Sequence, residues 1–243
     1  LFVQSTPQGL VDALNMEISE LHVMANEVHA EVADEELNTV DNGYLATWID
    51  ADGVGRKQLD TVVREQELFE GYTIHLLQEL LPKNSQLVVA NSMSIRDMDY
   101  FWSGNRHSAI IYGNRGVNGI DGTVSTALGI ATNGMPTVLL TGDLTFFHDL
   151  NGLAVAKTHP LNVTIIVHNN DGGGIFEYLP QKGTLHFDYL FSTAQGLNYS
   201  GLATLYGIDF VRVSSNDELK NALQNYVGTA GVHVIEIPTS KER

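Results

Sequence analysis

The chain has 243 residues, 43% of them apolar, and a formal charge of −16 at pH 7. That length suits one large domain, or one domain with part of another, and supplies enough apolar residues for a buried core. The acidic balance argues against nucleic acid and anionic membrane as partners, the absence of cysteine excludes disulfides and thiolate metal sites, and no run approaches the ~18 apolar residues of a membrane span.

Residues 1 to 60 hold 12 acidic residues against Arg56 and Lys57. Residues 1–61 read as the tail of a preceding central domain or as a linker, and residues 62–243 as the main domain. Glu27 to Glu36 is expected to be a solvated charged face. His22 and His29 lie near Glu27, Glu31 and Asp34, where an exposed charged segment is favoured over a metal cluster. Asp52-Gly53-Val54-Gly55 predicts a turn. No signal peptide is visible, so a cytoplasmic location is expected, although the chain opens Leu1-Phe2 without a methionine.

A helix is expected from about Thr61 to Leu81, where Leu68, Phe69, Tyr72, Leu76 and Leu80 recur at helical spacing and Pro82 follows. Gln86 to Ala90 predicts a buried strand ending at Asn91-Ser92, and Ser108 to Tyr112 a second. Gly116 to Gly122 is a glycine-rich run leading into a small-residue helix, Thr123 to Thr132. Strands follow at Val138–Leu140 and Val163–Val167, with a helix from about Thr145 to Lys157 between them. That helix carries Phe146, Leu150, Leu153 and Ala154 on one face. A helix Tyr199–Tyr206, a strand Asp209–Val213, a helix Asn216–Tyr226 and a strand Val232–Ile237 complete the chain. Such alternation predicts an α/β fold, a mainly parallel sheet with helices on both faces.

The chemistry concentrates between Thr137 and Pro180. The strand Val138–Leu140 runs into Gly142-Asp143, and Val163–Val167 into Asn169-Asn170-Asp171-Gly172. In a right-handed strand–helix–strand unit both ends open into one crevice, where open sheets bind ligands. A carboxylate with an amide oxygen is hard ligation, which favours Mg²⁺ or Ca²⁺ over Zn²⁺. A backbone carbonyl at Gly172 would be a third ligand, and the helix beginning near Leu144-Thr145 turns free N–H groups toward a diphosphate. Gly-Asp and Asn-Asn are also ordinary turn pairs, and ordinary loop chemistry is the competing reading. Arg96 and Arg115 lie beyond two strand ends and suit carboxylates. Their alternatives are ion pairs with Asp97 or Asp99, and with Asp121. His148 and His168 flank the metal motif and read as structural, or as supports behind the metal ligands, since hard ligation gives them no ligand role.

Gly-Asp followed some two dozen residues later by Asn-Asn resembles the signature of thiamine-diphosphate enzymes, with Leu144 where that signature has glycine. NSMSIRD, NRGVNGIDG, GDLTFFHDLNGL and NNDGGGIFEYLP together resemble the SEPHCHC synthase family of menaquinone biosynthesis, in its C-terminal diphosphate-binding domain. The resemblance implies that Asp143, Asn170 and the Gly172 carbonyl hold Mg²⁺ or Mn²⁺. It implies that Gly142, Leu144 and Thr145 line the diphosphate. Ile120 would prop the thiazolium, with Ile175 also against the cofactor, and Gly119 would offer its carbonyl to the aminopyrimidine. Ser92, Arg96 and Arg115 would meet substrate carboxylates, and Ile175, Phe176 and Leu179 would wall the reacting carbon. For those three apolar residues plain core packing is the other reading.

The implied reaction is a transferase one: decarboxylation of 2-oxoglutarate and addition of the resulting succinyl carbanion to isochorismate. The family's activating glutamate comes from an N-terminal domain of another subunit, which implies a homo-oligomer, dimer or tetramer. Within this sequence no catalytic acid–base residue is assigned, and the chain alone is expected to be inactive. Two other readings stand beside it. One is a thiamine-diphosphate enzyme of the acetolactate-synthase or 2-oxo-acid-decarboxylase type, and the other is a non-catalytic binding module. A nicotinamide-dependent dehydrogenase is disfavoured, because Gly172-Gly173-Gly174 lacks the G-x-G-x-x-G spacing.

Overall fold

The computed structural model describes residues 42–103 and 109–241. The acidic stretch Glu27–Glu36, His22, His29 and Ser108 lie outside the described residues. The chain divides between Lys57 and Gln58, and the sheet belongs to the later unit.

The first described element is helix α1 (Asn42–Glu65), which runs through the turn expected at Asp52 to Gly55. Each glycine costs a helix about 1 kcal/mol relative to alanine. The Arg56 Nε donates to Asp52 Oδ2 at 2.7 Å, one helical turn away, so an ion pair spans the glycines. The single helix expected over Thr61–Leu81 is instead broken. Helix α2 covers only Glu70–Leu80, and Leu68 takes a left-handed φ of 47° between the two. Asn216 holds this break: its Oδ1 accepts from the Leu68 N–H at 2.8 Å and its Nδ2 donates to the Gln66 carbonyl at 3.0 Å. A partner so distant in sequence leaves no trace in local periodicity.

Six parallel strands follow: β1 (Gln86–Val89), β2 (Ile110–Gly113), β3 (Thr137–Gly142), β4 (Asn162–Asn169), β5 (Asp209–Arg212) and β6 (Gly231–Pro238). Their spatial order is β2-β1-β3-β4-β6-β5, and every pairing is parallel. The expected α/β sheet is therefore present, and it is wholly parallel among the described strands. The helices are α3 (Met93–Phe101), α4 (Thr123–Ile130), α5 (Asp143–His148), α6 (Leu202–Tyr206) and α7 (Asn216–Tyr226). Helix α3 is an addition, since the sequence reading gave no element there. The helix expected over Thr145–Lys157 divides at Asp149 into α5 and a 3₁₀ stretch, Leu150–Lys157. Ala154 on that stretch is exposed, not on the buried face with Phe146 and Leu153.

Alternate residues of the strands feed two cores. Leu87, Val89, Val138, Leu140 and Ile166 pack on one face with α2 and α7. Val88, Leu139, Ile165 and Val167 pack on the other with α4 and Phe146 of α5. This is the pattern of strands buried on both sides. Close packing on the second face comes from small residues. A Cβ at Gly152 would stand 2.5 Å from Ser125 Oγ, and the buried Asp149 accepts from the Ser125 N–H at 2.6 Å and its Oγ at 3.0 Å. The C-terminal helix α7 begins with a reciprocal cap, in which the Ser215 side chain accepts from the Glu218 N–H and Glu218 Oε2 accepts from Ser214. Hydrogen bonds from Ser214 hold the Glu218 carboxyl below its usual value.

The chain leaves β1 toward β2 and then returns past β1 to β3. Connections therefore diverge between β1 and β3, and a crevice forms at the carboxyl edge of the sheet.

Candidate cofactor site

Three strand ends build the crevice. Strand β1 delivers Asn91 and Ser92, β3 delivers Gly142 and Asp143, and β4 delivers Asn169 and Asn170. Gly142 stands opposite His168 in the β3–β4 register, so Asp143 follows just where the Asn169-Asn170 turn begins.

Asp143 is the first residue of α5 and is 5% exposed. Its Oδ2 accepts from the Gly172 N–H at 2.7 Å. Burial pushes its carboxyl up to about 6, and backbone hydrogen bonds from Gly172 and Leu144 oppose that rise. The Asn170 Oδ1 is buried with no hydrogen-bond partner. A buried acceptor left bare costs about 1–3 kcal/mol. A cation between the Asp143 carboxylate and this amide oxygen would satisfy both, and two hard oxygens suit Mg²⁺ or Mn²⁺. The donor set thus fits a divalent metal.

The glycines after β4 shape the same turn. Gly172 has φ 136°, and a Cβ there would stand 2.1 Å from the Ser192 carbonyl oxygen. A Cβ at Gly174 would meet the Asn170 Nδ2 at 2.7 Å. Side chains at these positions would push on the turn or on Asn170 itself. Beneath Asp143, the buried Tyr199 hydroxyl donates to the Asp143 carbonyl at 3.2 Å, and its ring meets Phe146 edge-on at 5.4 Å. Burial, with the nearby Asp143 carboxylate, raises the Tyr199 phenol well above its usual range.

The crevice encloses about 160 Å³. Ser92, Ile120, Gly142, Asp143, Leu144 and Thr145 line it, and so do Asn170, Gly172, Ile175 and Phe176. Arg96 and Leu179 instead border an adjoining cavity of about 720 Å³, to which Ile175 also contributes. Glu70, Met93, Asp97 and Ile175 belong to both walls, so the two spaces adjoin. Gly119 and Arg115 line neither.

The arginines make contacts other than the ion pairs considered from sequence. Arg96 Nη1 donates to the Ser92 carbonyl at 2.6 Å, one helical turn back. Arg115 Nη1 donates to Asn91 Oδ1 at 2.9 Å. Each keeps further guanidinium donors. Asn91 is a residue whose role sequence reasoning missed. Its Nδ2 donates to the Asn114 carbonyl at 2.7 Å and to the Gly119 carbonyl. It thereby ties β1 to the glycine-rich run, and one lone pair of the Gly119 carbonyl is already engaged. Glu70 and Asp97, both buried at the crevice, were also missed. His168 is buried with Nε2 2.9 Å from Thr73 Oγ1, and His148 is exposed.

Comparison with known proteins identifies the class. The family described as thiamine pyrophosphate enzyme, C-terminal TPP binding domain, matches residues 92–237. The chain belongs to that family, and thiamine diphosphate is the cofactor of its domain. Within the class, its curated relatives include proteins named 2-succinyl-5-enolpyruvyl-6-hydroxy-3-cyclohexene-1-carboxylate (SEPHCHC) synthase. The one from Lactococcus lactis subsp. cremoris (strain SK11) is 53% identical over 203 residues, covering 83% of this chain and 37% of that protein. That from Desulfitobacterium hafniense is 48% identical over 202 residues, 83% of this chain and 37% of that protein. That from Gloeothece citriformis is 38% identical over 252 residues, 100% of this chain and 43% of that protein. The chain therefore spans less than half the length of each of these relatives.

Among solved structures, benzoylformate decarboxylase from Polynucleobacter necessarius aligns with TM-score 0.58 and 25% identity, over 71% of this chain and 33% of that one. A putative thiamin diphosphate-dependent enzyme from Mycobacterium smegmatis aligns with TM-score 0.57 and 23% identity, over 70% and 31%. The second likeness bears on the fold alone.

Proposed function

We propose that the chain is the C-terminal, diphosphate-binding part of a SEPHCHC synthase, which decarboxylates 2-oxoglutarate and adds the succinyl unit to isochorismate in menaquinone biosynthesis. What supports this most is the 53% identity to the Lactococcus lactis synthase over 203 residues. Bound in the crevice, thiamine diphosphate supplies a thiazolium electron sink for the decarboxylation and the carbon–carbon bond.

The chain's own residues would do the rest of this part of the work. The Asp143 carboxylate and the Asn170 amide oxygen hold the divalent cation, with the Gly172 carbonyl as a third donor. Gly142, Leu144 and Thr145 line the space for the diphosphate. Ile120, Ile175 and Phe176 give the crevice apolar walls, and water excluded by them strengthens the polar contacts inside. Arg96 and Arg115, with Ser92, meet substrate carboxylates, using guanidinium donors beyond those given to Ser92 and Asn91. Glu177 is paired with Lys182 at 3.2 Å, so no proton step is assigned to it. The activating glutamate would come from an N-terminal domain of another subunit, in a homo-oligomeric enzyme of the cytoplasm.

Two measurements test this. Calorimetry of the chain with Mg²⁺ and thiamine diphosphate should give binding heat that Asp143→Ala abolishes; no heat from the parent chain refutes the cofactor site. In a complete enzyme carrying this chain, carbon dioxide release should require 2-oxoglutarate and rise with isochorismate. Faster release from pyruvate or benzoylformate would instead assign the chain to a decarboxylase of another type.

A further inference from the structure

The turn that carries Asn170 is held from the far side of β4. Glu236, on β6, is 1% exposed, and its Oε1 accepts both from Arg212 Nη1 at 2.8 Å and from Asn169 Nδ2 at 2.6 Å. Asn169 in turn uses its Oδ1 to accept from the Asp171 N–H at 3.0 Å. That bond closes an Asx turn around Asn170 and fixes Asp171 at a left-handed φ of 57°. The Asp171 Oδ1 then accepts from the N–H groups of Gln195 and Gly196, at 3.0 and 2.8 Å. Asn170 thus sits between two anchored neighbours, with its own Oδ1 bare.

The residues of β6 on either side of Glu236 are apolar and buried. Ile235 and Ile237 face one core and Val234 the other. The second oxygen of Glu236, Oε2, is buried with no hydrogen-bond partner. Burying a carboxylate is costly, and a half-exposed Arg212 offsets that only in part. The bond to Asn169 is the contact that connects this buried charge to the crevice.

We infer that Glu236 is a positioning residue for the metal turn, acting through Asn169 on the aim of Asn170 Oδ1. This rests on the reading of Asp143 and Asn170 as metal ligands. Groups that orient metal ligands commonly change affinity about 10–100-fold when removed.

The test, in a complete enzyme carrying this chain, is Mn²⁺ binding, followed by the electron paramagnetic resonance of free Mn²⁺, alongside amide hydrogen exchange. Glu236→Ala should weaken Mn²⁺ at least about tenfold and speed exchange at the Asp171 amide. Glu236→Gln keeps an oxygen for Asn169 and should stay within about threefold of the parent. Leu223→Ala, a core truncation away from the turn, should lower the melting temperature and leave Mn²⁺ affinity unchanged. Should Glu236→Ala not fold, Asn169→Ser cuts the same bond from the other side and should show the same loss. Equal affinity of Glu236→Ala and the parent overturns the inference, as does a loss in Leu223→Ala or in Glu236→Gln as large as that in Glu236→Ala. A parent chain that binds no Mn²⁺ overturns the metal site and this inference together.

Discussion

The Gly172 N–H donates to the Asp143 Oδ2 across 2.7 Å, so the turn after β4 is bonded to the first residue after β3. Backbone and side chain from two strand ends are thus bonded to each other. Beside this bond, the buried Asn170 Oδ1 is the acceptor left bare.

Asp143→Asn separates charge from shape. The amide oxygen can still accept from Gly172, so the variant should fold with a melting temperature equal to or above that of the metal-free parent. It should bind Mg²⁺ and thiamine diphosphate at least about tenfold more weakly, because the cation loses its carboxylate. Thermal melts and calorimetry on the same preparations check both halves.

The same residue makes metal-free stability depend on pH. Burial holds the Asp143 carboxyl at about 6 in the folded chain, against 3.8 when solvated. The folded chain therefore keeps this proton where the unfolded chain has lost it. The contribution is whole below about pH 4 and lost as pH rises through about 6, amounting to about 3 kcal/mol at most. Urea melts in chelator at pH 4.5 and 7.5 should show it, and Asp143→Asn should remove that part of the difference.

Gly174→Ala should act on binding more than on folding. The new methyl would press on the Asn170 Nδ2, the far end of a side chain that can swing aside. The stability loss should stay within about 1 kcal/mol. The swing would move the amide oxygen off its aim, and metal affinity should fall several-fold. A melt paired with a Mn²⁺ titration reads the two effects separately.

Tyr199→Phe removes the hydroxyl that supports the Asp143 carbonyl and leaves the ring against Phe146. The loss should be about 1 kcal/mol. Tyr199→Ala also empties the ring's place in the second core and should cost about 3–5 kcal/mol. Denaturant unfolding of the two variants gives the ratio directly.

Much of the sheet was legible because its strands are short apolar runs buried on both faces, as at Val138–Leu140 and Val163–Val167. The polar residues that ended those runs pointed to the crevice, since strand ends of an open parallel sheet converge there. Longer-range partnerships were not legible. Asn216 stops a helix at Gln66 and Leu68 from the other end of the chain, and no window of local sequence contains both sides. Helix α3 escaped because Met98 alone among its apolar residues is fully buried, with Ile95 and Phe101 only partly so. Nearby acids suggest ion pairs for Arg96 and Arg115, whereas each donates to a neutral oxygen, at Ser92 and Asn91. Neither acceptor carries a charge that composition would flag.

A sheet packed on both faces has one more effect. The strands that end at Asp143 and Asn170 are packed on both faces by the protein's own side chains, so loading the crevice need not be coupled to folding of the chain. The heat-capacity change on cofactor binding should then be small, reflecting only the apolar wall that the ligand covers. Chelator should release the metal and leave far-ultraviolet circular dichroism unchanged, and the crevice should reload without a refolding step.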